Sequence, residues 1–372
     1  MIDELLFSGF RLAPPIDPVV RALNVIRDNG VHKAGFVLYP IHSMGINSVS
    51  FFEFFSKARV QLAIQSAGLV LRAQTNGFDG SVAFLNEARH SFGIEKKIKR
   101  DLVEHYNRSR TTKWFTHNPL LAVQVRMFSG EYYENQQFLV VKLQTVTSLL
   151  FMMAGLQTGY TAPKVTEWGS SRRVNNFQTL DIHHYFVFER PVRGAYLNMK
   201  CVPMNVRPSE LADLSSLPID LVPKLWSKRL HVINELASHL AKLESKYMAK
   251  RVFGAEDSGA AVACGKMFMA LHYFRRSFKS RGDTNEQVVN LAIAFEVLLS
   301  SNDKKGVTAR FDRRIKLALK GVKGSRRLQA ATEKLYEVRS ETVHSGQPKS
   351  SYNLTEGARG VRLCVPQRCE KR

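Results

Sequence analysis

The spacing of apolar residues changes once along this chain of 372 residues, near residue 206, and that change limits the folds open to it. Before it, short runs rich in β-branched and aromatic residues alternate with helical stretches. These runs lie at residues 35–41, 121–128, 183–189 and 195–206. After it, apolar residues recur at intervals of three and four, the period of an amphipathic helix. The pattern predicts an α+β domain over residues 1–205, followed by an all-α helical bundle over residues 206–372.

Five helices are predicted in the second region. Their apolar stripes lie at residues 226–247, 267–278, 284–299, 311–319 and 328–345. Thr284 with Gln287 three residues later forms a capping-box pattern at the start of the third helix. Ser345-Gly346 followed by Pro348 marks the end of the fifth, because glycine readily adopts the left-handed conformation that terminates a helix.

The sequence also indicates a cellular compartment. The stretch 143–163 is uncharged, but threonine, serine and glutamine interrupt it too often for the ~20 apolar residues of a membrane span, so we expect a buried core segment. Residues 1–7 include the acidic Asp3 and Glu4, where an export signal is basic. Cys201, Cys264, Cys364 and Cys369 form no CxxC pair and are expected to be free thiols. We therefore expect a cytoplasmic protein that does not associate with membranes.

Basic residues outnumber acidic ones, 54 to 32, and the net charge of +22 points to a polyanionic partner. The excess is densest between residues 304 and 327, where Asp312 is the only acidic residue. A solvated helix face would interleave both signs, so we predict a phosphate-binding surface for RNA instead. Its residues, called here the basic segment, are Lys304, Lys305, Arg310, Arg313, Arg314, Lys316, Lys320, Lys323, Arg326 and Arg327.

Arg339 and His344 are the candidate catalytic residues. Histidine can take or give a proton near neutral pH, at the ribose 2′-OH or at the leaving oxygen of RNA. Arginine stays charged and can stabilise the negative charge that builds up on the phosphate. RNA supplies its own nucleophile, and the chain has no HExxH, GxxxxGK[ST] or GxGxxG pattern. We therefore expect no metal and no cofactor.

The Arg/His spacing alone does not select this site. Three other pairs have a similar spacing, namely Arg27 with His32, Arg100 with His105, and Arg110 with His117. We expect these to be surface features, because none lies in a comparable helical setting. The sequence context of each pair must therefore show which of them is the site.

Three ordered blocks supply that context. The first, residues 292–299, is an apolar helix with Glu296 embedded in it, and the second, residues 308–319, is a basic helix with spaced arginines. The third, residues 335–346, contains leucine-tyrosine, arginine-serine and valine-histidine, followed by Ser345-Gly346. Together, residues 285–346 resemble the HEPN helical domain, specifically its Apea-like branch. The glycine that usually follows the histidine directly stands one position later here.

The resemblance implies a metal-independent endoribonuclease, often a toxin or antiviral defence effector, that works as a homodimer. In such proteins the Arg and His of two subunits form one composite cleft. It assigns Arg339 and His344 as catalytic, with Glu296 and Ser340 in support. Five residues along a helix turn about 140°, so Arg339 and His344 would not share one face of a continuous helix. We expect His344, near the helix end, to leave the regular path and converge with residues of the partner.

Several alternatives remain open. Arg339 could pair with Glu296 or Glu337 as a strut of the bundle, and His344 could cap the helix C-terminus. For Glu296 we favour a salt bridge to Arg310, Arg314 or Arg339.

At the level of function, the alternative is a non-catalytic nucleic-acid-binding or dimerisation scaffold. A third hypothesis is a toxin held silent by an antitoxin or regulatory partner, such as a small nucleotidyltransferase. The substrate would be RNA, with tRNA and mRNA as candidates.

Overall fold

The chain has mixed α and β structure, as the sequence predicts. A computed structural model describes residues 35–41, 61–64, 67–72, 77–125, 132–154, 184–191, 194–203, 230–251, 259–277, 284–299, 307–321, 325–346 and 352. Two compact units are present. The first contains the described residues within 35–40, 61–142 and 184–203, and the second contains Ile41 and those within 143–154 and 230–352. The predicted boundary near residue 206 lies outside the described residues.

Six strands in the described part of the first unit form one antiparallel sheet, in the order β2-β3-β4-β1-β5-β6. They are β1 Gly35–Pro40, β2 Gln61–Ile64, β3 Leu69–Arg72, β4 Leu120–Val125, β5 His184–Glu189 and β6 Asn198–Pro203. Four of them coincide with the predicted runs. The other two, β2 and β3, are four-residue strands that the sequence pattern did not reveal.

The central strand β1 is apolar on both of its faces. It pairs with β4 on one side and β5 on the other, so that Val37 lies opposite Val123 and Val187. Phe36 and Leu38 point to one face of the sheet, and Val37 with its alternate neighbours points to the other. All three are completely buried. Both faces of the sheet are therefore covered, which explains why this strand lacks the polar alternation of a half-exposed one.

Three helices cover one face of the sheet. They are α1 Gly77–Ser91, α2 Arg100–Asn107 and α3 Trp114–His117. Aromatic rings dominate the contact: on the sheet Phe36 stacks on Phe188 at 4.4 Å between ring centroids, and Trp114 of α3 packs against Phe186 of β5 at 4.9 Å. These four side chains are at most 2% exposed and belong to one apolar cluster, so the helices are held mainly by burial of aromatic surface.

The predicted buried core segment is a helix, α4 Tyr132–Ala154. The prediction is confirmed over the described residues, because Val146 and all residues from Leu149 to Met153 are at most 1% exposed. From residue 143 onward α4 belongs to the second unit. There Ser148 accepts a hydrogen bond from Nη1 of the buried Arg275, at 2.8 Å. The polar residues that argue against a membrane span thus bind a cation inside the protein.

The described part of the second unit beyond α4 contains five helices, matching the five predicted stripes. They are α5 Leu230–Arg251, α6 Gly259–Arg276, α7 Thr284–Leu299, α8 Val307–Ala318 and α9 Ser325–Ser345. The predicted end of α9 is confirmed, since Gly346 follows it with a φ of +75°. Trp226 and Phe278, at the ends of two predicted stripes, lie outside the described residues. In the described ranges, no helix combines the length and the apolar character that a membrane span needs.

Helix α7 is the centre of the C-terminal helices. It packs against α6, α8 and α9, and its own Leu291, Phe295 and Leu298 are at most 1% exposed. Phe311 of α8 and Leu335 of α9 are buried as well.

The cysteines in the described part of the chain, Cys201 and Cys264, are free thiols as expected; Cys364 and Cys369 lie outside it.

Two glycine-to-alanine substitutions should change stability in opposite directions. A Cβ on Gly35 would lie 1.8 Å from the carbonyl oxygen of Phe188, so Gly35→Ala should force β1 and β5 apart and cost about 2 kcal/mol or more. A Cβ on Gly265, inside α6, would meet nothing within 4 Å, and Gly265→Ala should stabilise the protein by roughly 0.5–1 kcal/mol. Urea unfolding followed by circular dichroism measures both. A Gly35→Ala variant as stable as the parent would contradict the close pairing of β1 with β5.

Candidate functional site

Three polar side chains meet where α7 and α9 pack together. Tyr336 donates a hydrogen bond from its hydroxyl to Oε1 of Glu296, at 2.7 Å. The same oxygen lies 3.7 Å from Nη2 of Arg339. The predicted salt bridge of Glu296 is therefore confirmed, and Arg339 is its partner. Because Tyr336 and Arg339 are three residues apart on α9, they lie on neighbouring parts of one helix surface and reach the same carboxylate.

This polar cluster is half-buried. The side chain of Glu296 is 27% exposed and that of Arg339 is 31% exposed, so solvent reaches both charged groups. The ring of Tyr336 packs against Phe311 of α8, with 4.2 Å between ring centroids. Burial raises the pKa of Tyr336 well above its ordinary value, and the hydrogen bond to Glu296 and its charge raise it further. Tyr336 is therefore a permanent hydrogen-bond donor at any physiological pH.

The guanidinium of Arg339 has hydrogen-bonding capacity left over. Its separation of 3.7 Å from Glu296 is an ion-pair contact, longer than the 2.7–3.2 Å typical of an N–H···O hydrogen bond. Its Nε is buried and has no hydrogen-bond partner among the described residues. The charge of Arg339 is thus balanced, and because Nε is buried, the donors suited to an external acceptor such as a phosphate oxygen are those of its Nη groups.

His344 lies in the last turn of α9 and is exposed. The expectation that it leaves the regular helical path is wrong. The helix continues through Ser345, and the backbone N–H of Gly346 still donates to the carbonyl of Thr342 at 3.0 Å. The left-handed conformation falls on Gly346, since serine would be strained there. Within one chain, Arg339 and His344 therefore point about 140° apart and do not converge.

Ser340 shares the exposed side of α9 with His344. Positions 333, 337, 340 and 344 follow one another at helical spacing, and all four are exposed. Two of them are Glu333 and Glu337, and Glu337 pairs with Lys334 at 3.0 Å rather than with Arg339. In the described part of the chain Ser340 makes no hydrogen bond. The structure thus places Glu296 next to Arg339, but within one chain it places neither Ser340 nor His344 next to Arg339.

Part of the basic segment forms an exposed surface. Arg313, Lys316 and the nearby Lys320 lie at helical spacing and point away from Phe311 and Ile315, which α8 buries. The exposed Arg326 and Arg327 begin the next helix. Lys304, Lys305, Lys323 and the side chain of Arg310 lie outside the described residues.

Arg314 has a different environment from its basic neighbours. It is half-buried, and its Nη1 donates a hydrogen bond to the carbonyl oxygen of Leu299, the last residue of α7. A cation at this point satisfies a free carbonyl and favours the negative end of the helix dipole. We therefore interpret Arg314 as a cap of α7 rather than a member of the exposed basic surface.

The competing Arg/His pairs are surface features where the structure describes them. Arg100 forms an ion pair with Asp79 and lies over the ring of Phe78, while His105 is exposed. Arg100 and His105 both lie in α2, so this pair does have a helical setting, contrary to the expectation. His117 is exposed, and the side chain of Arg110, like Arg27 and His32, lies outside the described residues.

The tyrosine of the polar cluster was not singled out from sequence. Its position three residues before Arg339, on the face of α9 that turns toward an embedded carboxylate, is the signal that could have identified it. Tyrosine next to leucine was part of the third block of the resemblance, but no role was attached to it. The structure gives it one, as the hydrogen-bond partner of Glu296.

The environment of Tyr336 predicts how stability depends on pH. An unfolded chain ionises this phenol near pH ~10, whereas the folded protein holds it protonated. Stability from Tyr336 is therefore fully present below pH ~10 and is lost as the pH rises above it. Tyr336→Phe should make the alkaline loss of stability less steep. Urea midpoints between pH 8 and 11 measure this, with Tyr196→Phe as the control that removes an exposed hydroxyl. An unchanged slope for Tyr336→Phe would contradict this environment.

The cluster combines a half-exposed arginine, a fixed carboxylate and a phenol, with an exposed histidine about one and a half turns further along α9. This set can bind an anion and exchange a proton. In the described residues, no group of three or more His, Cys, Asp or Glu side chains is arranged to hold a metal ion. No protein-family model matches the chain, and no curated protein or solved structure matches it either.

Proposed function

We propose that this protein is a metal-independent endoribonuclease with an HEPN-like helical core at residues 285–346. The observation that carries the proposal is the environment of Arg339, whose charge is balanced by Glu296 at 3.7 Å without a hydrogen bond between the two side chains. Its Nε is buried, so a phosphate would be received by the N–H donors of its Nη groups. The first unit would sense a trigger, bind a partner or hold the substrate.

The chemistry needs only one acid–base group and one fixed cation. A histidine accepts the proton of the ribose 2′-OH while the 2′ oxygen bonds to the adjacent phosphorus. The bond from phosphorus to the 5′ oxygen then breaks, and that oxygen takes up a proton from water, which leaves a 2′,3′-cyclic phosphate and a 5′-hydroxyl. His344 would be the acid or base, and Arg339 would stabilise the charge on the phosphate in the transition state.

A homodimer would complete the site. Arg339 and His344 diverge by about 140° on one continuous helix, so a single chain does not present both to the same phosphate. A second copy could supply the missing group, with Arg339 from one protomer and His344 from its partner on the same RNA. The exposed position of His344 suits contact with another chain.

The exposed part of the basic segment would hold the flanking RNA. Arg313 and Lys316 on α8, with Lys320 just beyond its end, present three exposed cations. RNA carries one phosphate per nucleotide, so such a surface attracts it without reading its sequence. Substrate selection, whether for tRNA or mRNA, would come from other contacts.

A second candidate function is a non-catalytic RNA-binding or dimerisation scaffold. The observation that favours it is the same ion pair, because Glu296 and Arg339 also join α7 to α9 as a strut would. In this case the basic surface would still bind RNA, and His344 would only stabilise the negative C-terminal end of α9. If the protein is a toxin, an antitoxin or regulatory partner could hold it silent in the cytoplasm.

An RNA-cleavage assay in EDTA separates the two functions. We expect the parent protein to cut tRNA or mRNA, His344→Ala to lose about 10²–10⁴-fold in rate and Arg339→Ala about 10²–10³-fold. Gel electrophoresis of end-labelled RNA measures the rates. Arg100→Ala and His105→Ala are matched controls, since this pair has the same spacing within a helix of the first unit. Equal cleavage by the parent and by both site variants would overturn the assignment, and RNA binding without cleavage would favour the scaffold.

The exposed basic surface should determine how salt weakens RNA binding. Replacing Arg313, Lys316 or Lys320 by Gln should each lower the slope of log affinity against log salt concentration by about 0.7. Lys334→Gln is the control, because it removes the same charge from a lysine already paired with Glu337. The slopes come from fluorescence anisotropy of a labelled RNA, measured at salt concentrations from about 50 to about 300 mM, on either side of the physiological ionic strength. A slope that none of the three replacements changes would mean that RNA binds to another surface of the protein.

A further inference from the structure

One carboxylate oxygen in the site has two partners at different distances. Oε1 of Glu296 accepts a hydrogen bond from Tyr336 at 2.7 Å, and the same oxygen is 3.7 Å from Nη2 of Arg339. An unrestrained Arg–carboxylate pair closes to about 2.7–2.9 Å and often forms two parallel hydrogen bonds. The observed pair is about 1 Å more open than that, and the neutral phenol rather than the cation holds the short hydrogen bond.

We propose that Tyr336 is a positioning residue, which holds Glu296 close enough to Arg339 to balance its charge but too far to occupy its hydrogen-bond donors. The ligand that benefits is a phosphate of RNA, so the inference rests on the proposed function. A phosphate oxygen can then bind the guanidinium without first breaking an internal hydrogen-bonded pair. Tyr336 would not touch the RNA.

The position of the phenol is fixed from two directions. Its ring packs against Phe311, which is 2% exposed, and this contact limits where the hydroxyl can go. Its hydrogen bond then fixes the position of the Glu296 carboxylate. Because burial keeps the pKa of Tyr336 high, the phenol remains a donor throughout the physiological range. The carboxylate of Glu296 is therefore held in one place.

Removal of the hydroxyl should release the carboxylate toward the arginine. Without the donor at 2.7 Å, Oε1 of Glu296 has an unsatisfied lone pair in a half-buried site, and Arg339 is the nearest charged donor shown there. The pair should then shorten into a charge-assisted hydrogen bond, which competes directly with phosphate. A tyrosine that served only for packing would not produce this effect, because its loss would not act through the charge of Glu296.

The test is a double-mutant cycle on RNA binding. All variants carry His344→Ala so that a labelled oligoribonucleotide stays intact, and fluorescence anisotropy gives the affinities of the full chain. We expect Tyr336→Phe to weaken binding about fivefold and Glu296→Gln to strengthen it by a similar factor. Tyr336→Phe should have no further effect when Glu296→Gln is present, since glutamine carries no charge to compete. Circular dichroism checks that each variant is folded.

The outcomes distinguish this inference from the proposed function. If Arg339→Ala does not weaken binding, Arg339 does not hold phosphate, and both fail. If Arg339→Ala weakens binding but Tyr336→Phe has the same effect with and without Glu296→Gln, Tyr336 is only structural and the inference alone is overturned. If Tyr336→Phe does not fold, Glu296→Gln decides by itself, and unchanged or weaker binding by that variant overturns the inference.

Discussion

The C-terminal helices are organised around a carboxylate on an apolar helix. Glu296 stands on α7, whose buried residues are apolar except for Asn290, and a half-buried charge must find donors close by. Both donors come from α9, as the phenol of Tyr336 and the guanidinium of Arg339. This requirement fixes the rotation of α9 about its axis, because only one face of that helix carries both groups. That rotation in turn leaves His344 on the exposed side.

Much of the helical half could be predicted from sequence, because its signals are local. A stripe of apolar residues at intervals of three and four gave all five helices, and the glycine after Ser345 gave the end of α9. The salt bridge of Glu296 followed from the cost of burying an unpaired charge, although three arginines were possible partners. Which of them would pair depended on the packing angles of the helices, a property that no local pattern contains.

What the sequence could not provide is non-local. The short strands β2 and β3 carry too few residues for an alternating pattern, and they are strands because β3 pairs with β4 and β2 pairs with β3. The histidine was expected to leave its helix near Ser345-Gly346, but glycine one position later lets the helix run on. Arg314 was placed with its basic neighbours by charge alone, whereas its role depends on the end of α7 being close to it in space.

The order of the sheet also bears on how the protein folds. Strand β1 is central, yet its two neighbours β4 and β5 follow it by about 85 and about 150 residues along the chain. At roughly 5–20 residues per second, a ribosome needs about 8–30 s after completing β1 to make β5. During that interval a strand that is apolar on both faces has no partner for one of its edges. Premature association of nascent chains through β1 is therefore the hazard that this topology creates, and a chaperone that shields residues 35–40 would counter it.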